Sequence, residues 1–433
     1  MNAFARLEAA LHGVEIAAPG GQVTSIRPDR AVVRGLQGRI GDTVGFSGGS
    51  VGEVVALEGQ DAIVMPLGRF DEVTPGMRAI RRHGGAAPIG EALLGRVIDG
   101  FGTPLDGAPI LHRSHTLQEW PDETASPLDP GFGARLRTGY SVIDTLMPLV
   151  EGQRLGLFAG SGVGKTTLLR GLAAGTDADI VVLALVGERR REIGAFLDAL
   201  GAEARARSVA VAATADTSPL EKRRALDTAA ALARTHAITG RKVLLIVDSI
   251  TRYAEACRDI AVALGEPMGR GGWPVSVTTG LARIFEQAGR FAGGGSVTAV
   301  HSVLVAGSDH DEPLADTVRG LLDGHIVLDR TIAERGQYPA IDIPRSVSRA
   351  LPDAASTEEN RIIAEARRTF ATLARITPIA EAGLLEPGAD PIADAILAGR
   401  AGLEGFASSR SDSIEAAFEA LSHVLATLEL PGR

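Results

Sequence analysis

Cysteine is almost missing: Cys257 is the single one in 433 residues. That excludes a disulfide framework and a zinc site built on thiolates, and fits a reducing cytosol. Aromatic residues are scarce as well, at 4%, so aliphatic, alanine and glycine packing must fill the core. There is no excess of positive charge. The 44 Lys and Arg are outnumbered by 53 Asp and Glu, giving a net charge of −9, which is not the balance of a protein whose main task is gripping nucleic acid. No run approaches the roughly 18–20 apolar residues that a membrane-spanning helix needs. The start, Met1-Asn2-Ala3-Phe4-Ala5-Arg6-Leu7, lacks a basic segment followed by an apolar stretch, so no secretory leader is expected.

What is present suits a folded enzyme. Hydrophobic residues make up 45% and charged residues 22%, enough for a sizeable core and a charged surface. Phe4, Leu7 and Leu11 recur at helical spacing, which predicts a short amphipathic helix that packs on its own domain or docks a partner. Residues 21–85 alternate short β-favouring runs, such as Ala31-Val32-Val33 and Ala62-Ile63-Val64, with glycine-rich turns, the pattern of a small antiparallel barrel. Within it, Gly45-Phe46-Ser47-Gly48-Gly49 matches a hydrolase nucleophile elbow formally. An elbow needs a strand followed by a helix, and none follows, so a turn is expected. The stretch LLGRVIDGFGTPLDG over 93–107 reads as a strand and turns leading into the next domain.

From about 140 to 350, apolar runs at Leu155–Phe158, Ile180–Val186, Val243–Val247, Thr298–Val305 and Ile326–Leu328 alternate with helical stretches. Continuous runs without polar alternation are strands buried on both faces, as in a parallel sheet between helices. Ser218-Pro219-Leu220-Glu221 is a capping box that should open a helix. Beyond about 353 the chain is rich in alanine and leucine at helical spacing. The fold class expected is α/β with four parts: 1–20, an amphipathic docking helix; 21–85, a β-barrel; 86–352, an α/β core; 353–433, a helical C-terminal domain.

The chemistry is carried by Ala159-Gly160-Ser161-Gly162-Val163-Gly164-Lys165-Thr166-Thr167, which follows a predicted strand and opens a predicted helix. Glycines let consecutive N–H groups wrap a polyphosphate at a helix N-terminus. Lys165 would neutralise the β- and γ-phosphates of ATP, and the Thr166 hydroxyl would ligate Mg²⁺. Ala159 stands where the pattern has its first glycine, which the loop tolerates if that position keeps a negative φ. Lys242-Val243-Leu244-Leu245-Ile246-Val247-Asp248 is a buried strand ending in a carboxylate. The carboxyl end of a parallel strand is where an acid should meet Mg²⁺, here through a water. Glu188 ends another such strand and is expected to orient or activate the attacking water; Glu192 is expected to pair with the run Arg189-Arg190-Arg191. Arg189, Arg252 and Arg349 are the candidates for meeting charge on the transferred phosphoryl group. His310 lies among Asp309, Asp311 and Glu312 in what reads as a solvated turn, and the histidines form no metal site.

Together these segments resemble the export ATPases of bacterial flagella and type III secretion injectisomes, relatives of the catalytic subunit of rotary ATP synthases. The resemblance is carried by TGYSVIDTLMPLVEGQRLGLFAGSGVGKTTLLRGLA, VGERRREI, VDSITRYAEACRDIA, LLDGHIVLDRTIAERGQYPAID and SVSR. It implies a RecA-like core, a homohexameric ring and active sites between subunits. It implies that Glu188 is the catalytic carboxylate and that Arg189 assists at the γ-phosphate. Arg349 matches an arginine finger supplied to the neighbouring subunit, and Tyr338 an aromatic that packs on adenine. It further implies a cytoplasmic enzyme peripheral to the inner membrane. Its expected partners are a regulatory stalk protein at the N-terminal helix, a central stalk protein, export-gate membrane proteins and chaperone–cargo complexes, with no nucleic acid. Arg190, Trp273-Pro274-Val275 and the segment Gly383–Asp394 depart from the family pattern. Flagellar export is the leading expectation, an injectisome the alternative. An RNA-translocating helicase shares the core but should show basic and aromatic contacts in its barrel.

Overall fold

The computed structural model describes residues 20–82, 90–109, 131–305, 312–386 and 388–428. The helix expected at Phe4–Leu11 and the His310 turn lie outside them.

Six antiparallel strands close a barrel: β1 (Gly20–Ile26), β2 (Ala31–Arg34), β3 (Thr43–Phe46), β4 (Val51–Glu58), β5 (Asp61–Leu67) and β6 (Arg78–Arg82), in the order β1-β2-β5-β4-β3-β6. Val23, Val33, Val44, Val54 and Val64 point inward, one residue type per rung. Closure matters because it removes the unpaired edges a small sheet would otherwise present. Phe46 and Phe70 meet edge-to-face inside, centroids 5.1 Å apart. The Ser47–Gly49 segment is the hairpin turn between β3 and β4, with Gly49 at φ 91°.

The core sheet contains β7 (Val97–Ile98), β10 (Arg154–Ala159), β11 (Ile180–Glu188), β12 (Ser208–Thr214), β13 (Lys242–Asp248), β14 (Gly289–Arg290), β15 (Ser296–Leu304), β16 (Gly324–Leu328) and β17 (Val347–Ser348). A separate pair, β8 (Arg135–Leu136) and β9 (Leu149–Val150), lies outside it. The order is β17-β16-β10-β15-β13-β11-β12-β7, with every neighbour parallel except β17, and with β14 antiparallel on β15. The five predicted apolar runs are its centre, and they are buried along nearly their whole length. The strand read at 93–107 is β7, the edge of this same sheet. Ser218 caps the helix Pro219–Ile238 with the reciprocal Glu221 bond.

The barrel sits on the core through Val55, Ile63 and Met65 against Leu220 and Ile260. A buried ion pair between Glu53 of β4 and Arg223 ties the same junction. The C-terminal helices Thr357–Glu381, Pro391–Ala398, Arg400–Ser408 and Ile414–Ala426 share one apolar cluster with the core. Phe370, Leu403 and Leu421 join Val142, Ile143 and Leu157 in it.

Candidate nucleotide site

The glycine-rich loop leaves the carboxyl end of β10, and the helix Lys165–Gly175 begins directly after it. Ala159 is still in the strand, paired with Leu304 and Leu328, in extended backbone that alanine adopts freely. The positive φ angles fall at Gly162 (78°) and Gly164 (88°) instead. A side chain at either would be strained, and at Gly164 a Cβ would come within 3.1 Å of Tyr338 Cδ1. The first-turn N–H groups of Lys165, Thr166 and Thr167 have no partner within a helix by construction. With the helix dipole they make the loop an anion cradle. Ser161, Thr166 and Thr167 are exposed, and Val163 anchors the loop in the core.

Three charged side chains converge beside the loop. Lys165 Nζ forms an ion pair with Asp248 at the end of β13 and lies 3.6 Å from Glu188 Oε1 at the end of β11. All three are largely withdrawn from solvent, with side chains 12%, 3% and 20% exposed. Asp248 Oδ1 also accepts a 2.6 Å hydrogen bond from Ser302 Oγ on β15. Gly187, at φ 75°, interrupts the β11–β12 register just before Glu188. Such a break re-aims the next side chain, and a Cβ there would press within 2.9 Å of Arg252. Burial pushes the Glu188 carboxyl up to about 7; Asp248 adds to the rise, Lys165 opposes it, and a hydrogen bond with Glu192 favours the neutral form. A carboxyl near neutrality, next to a lysine that can be drawn off by phosphate, suits a water-activating group.

The arginines are dispersed. Arg189 precedes the helix Arg190–Asp198, its side chain 84% exposed and 3.8 Å from Glu192. Arg252 packs over Gly187 and donates to Glu255 at 2.8 Å. Arg349 is exposed just past β17. Its neighbour Ser348 is in register with Gly324, and Gly324 with Leu155 at the start of β10. Arg349 thus stands at the end of the sheet opposite the phosphate loop, roughly 13 Å of strand away at about 3.3 Å per residue. Tyr338, half exposed, covers Gly164 from a segment that also sends Arg330 to the Ser161 carbonyl at 3.2 Å.

Comparison with known proteins decides what this constellation belongs to. Over 360 residues, 79% of this chain and 77% of the relative, the sequence is 42% identical to the flagellum-specific ATP synthase of Salmonella typhimurium. It is 44% identical over 351 residues to the type 3 secretion system ATPase of Pseudomonas syringae pv. tomato, covering 79% and 78% of the two chains. The chain belongs to the flagellar and type III secretion ATPase family. Residues 139–348 match the nucleotide-binding domain of the ATP synthase alpha/beta family. Among solved structures, the assembled ATPase EscN of the enteropathogenic E. coli type III secretion system superposes with a TM-score of 0.85 at 36% identity. That match covers 94% of this chain and 100% of EscN. The barrel, parallel core and helical C-terminal part described above are the architecture of this ATPase family.

In this ATPase, three site features escaped sequence reasoning. Ser302 lies in a correctly located strand, but nothing in the sequence says that β15 runs between β10 and β13. Arg330 is one arginine among many until the fold brings its segment over the loop. Glu192 does meet Arg189, as its spacing predicts, yet it also bears on Glu188, because one helical turn returns it to the strand end.

Proposed function

We propose that this ATPase hydrolyses Mg-ATP as a homohexameric ring and thereby assists export of flagellar proteins through a type III secretion apparatus. The observation that carries the reading is the split of the site. Lys165, Glu188 and Asp248 converge at the carboxyl ends of β10, β11 and β13, while Arg349 stands exposed at the opposite end of the sheet. An arginine so placed cannot serve its own nucleotide but can serve that of a neighbour. EscN has been solved as an assembled ATPase and with its central stalk EscO, which supports a ring with a central stalk protein here.

The donor set fits Mg²⁺. Thr166 offers a hydroxyl and Asp248 a carboxylate, hard oxygens of the kind Mg²⁺ takes beside phosphate and water. The described residues hold no group of three or more His, Cys, Asp or Glu, the cage a cation bound by protein alone would need. Bound Mg²⁺ would offset the charge of the β- and γ-phosphates. The loop N–H groups and Lys165 bind the phosphates. To reach them Lys165 would leave Asp248, whose carboxylate would then be free to help hold Mg²⁺. Glu188, ionised, orients the attacking water and takes its proton. Arg189 and Arg252 lie within a turn of this centre, and Arg349 from the next subunit meets the charge on the γ-phosphoryl group. Tyr338 covers the loop where the adenine side of the nucleotide would lie.

The regulatory stalk protein, the export gate, chaperone–cargo complexes and a location at the inner membrane complete the proposed setting. Among the described residues no helix is long and apolar enough to cross a membrane. The test has two parts. Mixed rings of Lys165→Ala and Arg349→Ala subunits should regain part of the activity each lacks alone, because some interfaces pair an intact site with an intact finger; no recovery in verified mixed rings would overturn action between subunits. In the source organism, deletion should abolish motility and flagellin export, with rescue by wild type and not by Glu188→Gln. Unchanged motility would transfer the reading to an injectisome.

A further inference from the structure

Ser302 is a buried polar group of the site that the proposed chemistry leaves unused. It is fully buried on β15, the strand lying between β10, which carries the phosphate loop, and β13, which carries Asp248. Its hydroxyl donates to Asp248 Oδ1 at 2.6 Å. Lys165 uses the same oxygen. Two residues further along, the Leu304 N–H donates to Thr251 Oγ1 at 2.9 Å, so β15 holds the Asp248–Thr251 turn at two points.

The two donors on Oδ1 have different fates. Lys165 is drawn to the phosphates when nucleotide binds. Ser302 cannot follow, because its strand is hydrogen-bonded on both sides and its side chain has no solvent to turn towards. A carboxylate that loses its lysine keeps its charge and gains freedom to rotate about its terminal torsion, which is broad and roughly two-fold. A fixed hydroxyl on Oδ1, the oxygen that Lys165 also uses, removes that freedom and keeps the carboxylate in the orientation it has beside the loop.

We propose that Ser302 is a positioning residue for Mg²⁺ recognition: by holding Oδ1 of Asp248 after Lys165 departs, it keeps the carboxylate oriented to help hold the Mg²⁺ of Mg-ATP. The inference rests on Asp248 serving the Mg²⁺ of Mg-ATP. Ser302 is fully buried and meets the site through Asp248. Its effect is therefore on how much Mg²⁺ strengthens nucleotide binding, not on binding as such.

The experiment measures affinity for a fluorescent ADP analogue with saturating Mg²⁺ and with EDTA. Wild type is compared with Ser302→Ala, Ser302→Thr, which keeps the hydroxyl, and Ser302→Cys, which keeps the volume with a weaker donor. Unfolding midpoints are recorded alongside. The expected result is unchanged affinity in EDTA for every variant and a Mg²⁺-dependent gain cut about tenfold in Ser302→Ala, a loss in the range of one hydrogen bond to a charged group. Ser302→Thr should restore the gain, and Ser302→Cys should fall between. Should Ser302→Ala not fold, the order Thr above Cys carries the same prediction. Equal gains in all folded variants, or losses equal in Mg²⁺ and EDTA, overturn the role of Ser302. A wild type without any Mg²⁺-dependent gain overturns the assignment of Asp248 itself, and this inference with it.

Discussion

Replacing the Glu188 carboxylate should stabilise the nucleotide-free enzyme, and only at high pH. Glu188 has its carboxyl raised from an ordinary 4.5 to about 7, first by burial and then by Asp248. A carboxyl raised on folding costs stability where it must be ionised. Below pH 4.5 it is protonated in both the folded and unfolded chain, and nothing is lost. As pH rises from 4.5 to 7 the unfolded chain ionises first, so the folded state loses ground. Above 7 the full penalty applies. At about 1.4 kcal/mol per pKa unit the shift corresponds to about 3 kcal/mol, of which about 2 should survive at a partly solvated side chain. Glu188→Gln mimics the neutral form. Without nucleotide or Mg²⁺ its unfolding midpoint should exceed that of wild type by about 4 °C at pH 8, taking about 2 °C per kcal/mol for a unit of this size. At pH 5, where only about a quarter of the penalty has set in, the gap should shrink to about 1 °C. Thermal scans at the two pH values with either equal midpoints at pH 8 or the same gap at both would refute the argument. The variant should hydrolyse ATP poorly at both.

Two further substitutions probe the surroundings. Gly164→Ala forces an unfavourable φ of 88° on an L residue and presses its methyl on Tyr338, so nucleotide affinity should fall by about tenfold or more, given a strain of about 1–2 kcal/mol; a paired Tyr338→Ala relieves the contact but not the backbone, and equilibrium binding separates the two. Arg223→Met strips the buried Glu53 of its ion partner at the barrel–core junction. The expected cost is about 3 kcal/mol near neutral pH. It should shrink in acid, because burial already raises the Glu53 carboxyl and without Arg223 it is protonated more readily; equilibrium unfolding against pH reads both effects.

Much of this protein is written locally. Five apolar runs predict five buried strands because a parallel strand hides both faces and needs no polar alternation. The capping box at Ser218 predicts a helix start because its two bonds close within four residues. The glycine-rich loop is legible for the same reason: strand, glycines, lysine and helix are contiguous, and the N–H groups that make it an anion cradle belong to the loop itself. That Glu188 and Asp248 meet beside this loop could be expected because each ends a strand, and a parallel sheet sends its strand ends to one side.

The remainder is a matter of neighbours. Strand order is a choice among packings that no single segment encodes, so only the folded sheet puts Ser302 of β15 beside Asp248 of β13. The same order sends Arg349 to the far end from its own loop. Glu188 owes its raised carboxyl to burial and to Asp248, sixty residues distant in the chain but in the next strand of the sheet. The C-terminal helices read as a separate domain in sequence, yet Phe370 and Leu421 pack in one apolar cluster with the core. Sequence fixes which groups exist and their local backbone. Distance between groups far apart in the chain, and with it charge, burial and reactivity, is decided only when the sheet closes around them.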